Sequence, residues 1–111
     1  VISEAYYSIF YAAKAYLFFK GIKTAPPEEH KKTYEEFAKF VYSNELSREL
    51  LDIYDEETEK ATVLLKIFLN EKRKRGRFVY NVKSEANIPF ALESLNNAKK
   101  FISTIKSALK V

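Results

Sequence analysis

Points of chain reversal are scarce in this sequence, and that scarcity narrows its possible folds more than any other feature. The 111 residues hold two glycines, Gly21 and Gly76, and three prolines, Pro26, Pro27 and Pro89. A sandwich or barrel of short strands needs a turn every ~8–12 residues, commonly built on Gly, Pro or Asn. So few breakers cannot serve such a fold, whereas long helices need only a handful. Apolar residues make up 47% of the chain and charged residues 31%, which suits one modest core under a charged surface. A single all-α domain over residues 1–111 is therefore expected.

Helical period organises the apolar residues. The first helix runs from about Ile2 to Lys20. Tyr6, Phe10, Ala13 and Leu17 follow one stripe, and Ile9, Ala12, Tyr16 and Phe19 another. A helix apolar on nearly every side is central in a bundle or shared with a partner. The aromatic residues at its start, Tyr6, Tyr7, Phe10 and Tyr11, read as core packing plus a self-association face, with a ligand groove as the alternative. Gly21 is a natural stop. The second helix starts near Pro27, with Glu28 and Glu29 in its first turn, and runs through Tyr34, Phe37, Phe40 and Val41 until Ser43-Asn44 breaks it.

The third helix covers roughly Glu45 to Arg75, with a kink near Asp55. Leu46, Leu50, Tyr54, Ala61, Leu64 or Leu65, and Phe68 keep its period. Asp52, Asp55, Glu56, Glu57 and Glu59 precede Lys72, Arg73, Lys74, Arg75 and Arg77, a polarity that complements a dipole if a helix begins near Asp55. The last helix starts at Ser84 or Pro89 and ends near Leu109. Its stripe is Ala91, Leu95, Ala98, Ile102, Ile105 and Leu109, broadened by Leu92 and Phe101. Short connections imply an antiparallel four-helix up-and-down bundle.

Several chemistries are excluded. With no Cys and a single His, His30, there is no disulfide framework, thiolate site or cluster at metal-ligand spacing. The acidic run Asp52 to Glu59 reads as a solvated helix start rather than a hard-cation site. His30 reads as a surface residue in the first turns of the second helix. Gly-rich phosphate loops are absent, and no cofactor is expected. No apolar run reaches the ~18 residues of a membrane span, and Glu4 and Lys14 interrupt the apolar start. A reducing cytoplasm is the expected compartment. Val1 is not an initiator Met, so a segment upstream is expected as well. The net charge of +4 is a mild bias toward anionic partners.

The stretch Lys72 to Asn81, KRKRGRFVYN, concentrates five cations in six residues ahead of Phe78 and Tyr80. Lys72, Arg73, Arg75 and Arg77 would neutralise phosphates, and Tyr80 would stack on a base. A solvated helix end whose aromatics return to the core explains the same residues.

Taken together, these segments resemble the HEPN family. EAYYSIFYAAKAYLFFKGI, Glu4 to Ile22, is similar to the family's opening Tyr-Tyr, Phe, Ala-Ala-Lys-Ala and Lys-Gly signature. His30, the Arg-rich run leading to Tyr80, and the closing ALESLNNAKKFISTI match in order and spacing. The resemblance implies a helical bundle that dimerises and, in many members, a nucleotidyltransferase partner and ribonuclease activity. Active members carry an Arg followed a few residues later by a His. Here every Arg lies after His30, so that pair cannot be formed, and Tyr80 stands five residues after Arg75 instead. A Tyr with a pKa near ~10 is a poor general base at neutral pH. The resemblance thus implies a non-catalytic, HEPN-like homodimer with no catalytic residues, binding RNA, a nucleotide or a nucleotidyltransferase. The alternatives are a metal-independent ribonuclease using Arg75 and Tyr80, and a purely structural interaction module. The resemblance also implies a helix ahead of Tyr6-Tyr7, which this sequence does not contain.

Overall fold

The computed structural model describes residues 2–74 and 88–110, and every regular element among them is a helix. These are α1 (Ile2–Phe19), α2 (Glu29–Tyr42), α3 (Arg48–Lys74) and α4 (Ile88–Leu109). The expected all-α bundle is what forms. None of these helices is long and apolar enough to cross a membrane.

Local chemistry sets the helix ends. Gly21 sits at φ +83°, where the amide of Gly21 bonds the Phe18 carbonyl and that of Ile22 the Leu17 carbonyl, closing α1 with a Schellman motif. Asn44, at φ 65°, closes α2 in the same way, through Asn44 to Val41 and Glu45 to Phe40. Because residues 44–46 are spent on that closure, α3 begins at Arg48 rather than Glu45. Ser47 caps it, its Oγ accepting the Glu49 amide at 3.2 Å. The helix then continues through Asp55, so the acidic run lies inside it rather than at its start. Pro89 occupies the first turn of α4, where its missing N–H costs nothing.

Side-chain contacts give the directions of the helices. Phe10 stacks on His30, Tyr16 packs on Phe37 and Phe40, and Lys20 pairs with Glu45, so α1 and α2 run in the same sense. Between α2 and α3, Tyr34 meets Tyr54 and Asp55; between α3 and α4, Glu57 meets Asn97 and Lys60 meets Glu93; both pairs are antiparallel. Three helices thus share one sense and α3 opposes them, in place of the alternating up-and-down order. The cause is the α1–α2 connection. Residues 20–28, at about 3.3 Å per residue, can reach back along most of the ~27 Å of α1. Thr24 fastens this return, its hydroxyl bonded to that of buried Thr33 at 2.7 Å.

The core is strongly aromatic. Phe37 is fully buried and touches Tyr16 of α1, Tyr54 of α3 and Phe101 of α4 at centroid distances of 6.2, 5.8 and 5.4 Å. Both expected stripes of α1 contribute, with Ile9, Phe10, Ala13, Tyr16 and Leu17 buried, but Phe19 is exposed. On α4 the buried face is Ser94, Ala98, Phe101 and Ile105. It is rotated from the expected one because the Phe101 ring, rather than Leu95, enters the centre.

Candidate functional site

The four aromatic residues at the start of α1 do different jobs. Phe10 is buried, Tyr6 is half-buried, and Tyr7 and Tyr11 are exposed. His30, in the first turn of α2, lies flat on Phe10 with ring centroids 3.9 Å apart and planes 7° from parallel. Its Nδ1 is 2.8 Å from the Tyr6 hydroxyl, and Tyr7 presents an edge to it at 6.0 Å. Burial, reinforced by Tyr7, pushes the Tyr6 hydroxyl above its usual range, so it stays protonated beside His30. Lys14 also lies over the Phe10 ring, 5.7 Å from its centroid, and pairs with Glu29 at 2.5 Å. His30 is at the surface, as expected, yet it is held on both its face and one nitrogen. The spacing between residues 6, 10 and 30 carries no local signal for this, because the returning loop creates the contact.

Tyr7, Tyr11 and Phe18 stand four and seven residues apart, so they form one line along α1. Their exposures are 49%, 61% and 74%. The helix that supplies the centre of the core therefore also carries a row of aromatic rings into solvent.

Of the basic segment, Lys72 and Arg73 fall in the last turn of α3, while Arg75, Arg77 and Tyr80 lie outside the described residues.

A second cluster was not anticipated. Glu57 is completely buried, contrary to the reading of the acidic run as a solvated helix start. In the period Leu50, Tyr54, Ala61, Leu64, the missing inward position is Glu57, so the sequence carried that signal. Its Oε2 accepts from Asn97 Nδ2 at 2.9 Å and pairs with Lys60 Nζ at 3.2 Å. Lys60 also lies 3.3 Å from both Glu56 and Glu93. Hydrogen bonding to Glu93, together with burial, holds Glu56 above the ordinary carboxylate range, while the same bond and Lys60 hold Glu93 below it. Burial acts to lower the Lys60 ammonium, and the three carboxylates outweigh it. Glu57 Oε1, Ser94 Oγ and Tyr54 Oη are buried without a hydrogen-bond partner. Among the described residues no acidic, His or Cys grouping fits a metal ion.

The arrangement can therefore do two things: present stacking rings beside an imidazole on α1 and α2, and concentrate carboxylates between α3 and α4. Comparison with known proteins adds no assignment to either, for no family model, curated protein or solved structure matches the chain.

Proposed function

We propose that the chain is a HEPN-like helical domain, non-catalytic, that dimerises through the aromatic line of α1 and binds RNA, a nucleotide or a nucleotidyltransferase partner through its basic segment. The observation that carries this reading is the exposure of Tyr7, Tyr11 and Phe18 on a helix whose other sides are core. Apolar area left in water forgoes about 25 cal/mol per Å², and Tyr tolerates both wet and covered states, so such a row fits an interface. The five cations of Lys72 to Arg77 supply phosphate neutralisation. With its one His ahead of every Arg, the chain has no Arg-to-His pair with which to cleave RNA.

Analytical ultracentrifugation tests the first half. Wild type is expected to sediment as a dimer and the Tyr11→Glu/Phe18→Glu variant as a monomer; a monomeric wild type removes the interface. Fluorescence polarisation with labelled RNA and nucleotides tests the second. Salt-sensitive binding weakened by Arg75→Ala supports it, and its absence removes it. Cleavage of total RNA by wild type but not by Arg75→Ala/Tyr80→Phe would replace the non-catalytic reading with the ribonuclease one.

A further inference from the structure

Charge is divided unevenly across the bundle. Eleven of the fifteen carboxylates fall in residues 28–59, on α2, the first half of α3 and the turns beside them. Residues 5–27 and 94–111, which hold most of α1 and α4, contain seven Lys and neither Asp nor Glu. Lys14, Lys20 and Lys100 reach back to the acidic side, to Glu29, Glu45 and Glu49. Lys99, Lys106 and Lys110 are exposed and have no such partner among the described residues.

These three belong to one line of α4. Leu92, Leu95, Lys99, Lys106 and Lys110 are spaced by three, four, seven and four residues. The helix packs on α1 and α3, and Glu93, Asn97 and Lys100 occupy its α3 flank, so the line lies on the α1 flank. Phe37 touches both Tyr16 and Phe101, which sets those two residues level on the parallel helices. Counting from them places Phe19 of α1 level with Thr104, between Lys99 and Lys106. Phe19, Leu92 and Leu95 are 60%, 59% and 41% exposed. The flank thus mixes apolar side chains with unpaired ammoniums, and its line carries no carboxylate.

We propose that this α1–α4 flank docks on an anionic lipid surface, lying flat on one leaflet without crossing it. Phe19, Leu92 and Leu95 enter the boundary between headgroups and acyl chains. The lysine stems extend so that their ammoniums stay level with the lipid phosphates. Charge complementarity selects this occupant. A second copy would set lysines against lysines with no carboxylate on the line to separate them. A nucleic-acid strand would engage the ammoniums but leave the two leucines in water. The flank uses neither the aromatic line assigned to dimerisation nor the segment Lys72 to Arg77, so it stands apart from the function proposed above.

Flotation of the full chain with phosphatidylcholine vesicles, with and without phosphatidylserine, tests the proposal. Binding is expected only to the vesicles that carry phosphatidylserine, and it weakens with salt. Each Lys near such a surface is worth about five-fold in partitioning, so Lys99→Gln/Lys106→Gln/Lys110→Gln should lower it about 100-fold. Leu92→Ser/Leu95→Ser should lower it about ten-fold with the lysines intact, which a purely ionic attachment would not show. Nanodiscs carrying a paramagnetic lipid, added to the unaltered chain, give an NMR readout independent of variant folding. Amide broadening centred on Phe19 and the Leu92 to Lys110 line supports the docking flank. No binding to the anionic vesicles, binding that neither variant weakens, or broadening centred elsewhere overturns it. Vesicle-free binding of single-stranded RNA that is lost in the triple-lysine variant, with no binding to vesicles, gives the flank to nucleic acid and equally overturns it.

Discussion

Removing Lys60 and removing Glu57 should have unlike consequences, although the two residues form one ion pair. Glu57 is completely buried, and its bonds are to Asn97 at 2.9 Å and Lys60 at 3.2 Å. In Lys60→Met the carboxylate stays in the interior with only the Asn97 amide, beside Glu56 and Glu93. An uncompensated buried charge of that kind costs about 3–5 kcal/mol, a large share of the ~5–15 kcal/mol typical of a domain. In Glu57→Leu nothing is orphaned. Lys60 keeps Glu56 and Glu93 at 3.3 Å, and Asn97 keeps its 3.4 Å contact to Glu56. The lost charged hydrogen bonds are offset by the carboxylate desolvation that is no longer required, leaving a net change within about 1 kcal/mol. Urea unfolding followed by far-UV circular dichroism at neutral pH measures both. In the double variant the Lys60 penalty should largely vanish, a coupling of about 2 kcal/mol or more. Acidification should shrink the Lys60→Met penalty as carboxylates take up protons. If Glu57→Leu proves as damaging as Lys60→Met, or Lys60→Met costs under about 1 kcal/mol, the charge-compensation argument is wrong.

Four further outcomes are expected. Phe37→Ala, which empties the junction of all four helices, should cost about 3–5 kcal/mol by the same urea assay. His30→Ala loses the stacked ring on Phe10 and the Tyr6 bond at an exposed position, so thermal unfolding should report only about 0.5–1.5 kcal/mol. Gly21→Ala meets no neighbouring atom within 4 Å, yet places a side chain at φ +83°, and should still destabilise by about 1 kcal/mol. Glu56 is raised in the fold, so its stabilising contribution is present at acid pH and is lost as pH rises through its folded value. The amide introduced by Glu56→Gln donates to Glu93 at every pH. That variant should therefore match wild type in acid and exceed it near neutrality, by less than about 1 kcal/mol because the Glu56 side chain is 43% exposed. Paired pH-stability curves decide the sign, and a variant less stable than wild type at neutral pH would contradict the hydrogen bond between Glu56 and Glu93.

What the sequence by itself determined was local. Periodicity and the few breakers located four helices, with Gly21 and Asn44 ending the first two, since these decisions depend on neighbours within a turn or two. The charge on Lys72 to Arg77 and the order of His30 before every Arg were equally plain, being properties of the string. Tertiary structure decided what depends on distant neighbours. The returning loop at residues 20–28 made α1 and α2 run together and laid His30 on Phe10. Packing around Phe101 turned α4 away from its expected stripe. The aromatic run of α1 was visible as a run, but only packing separated Phe10 in the core from Tyr7, Tyr11 and Phe18 in solvent. Glu57 lies between these cases. Its inward register could be read from Tyr54 and Ala61, yet whether a carboxylate can remain there depends on Lys60, Asn97 and Glu93. Two of those three come from a helix some forty residues away along the chain, and the free energy of a buried charge is set by partners in space, not by its place in a repeat.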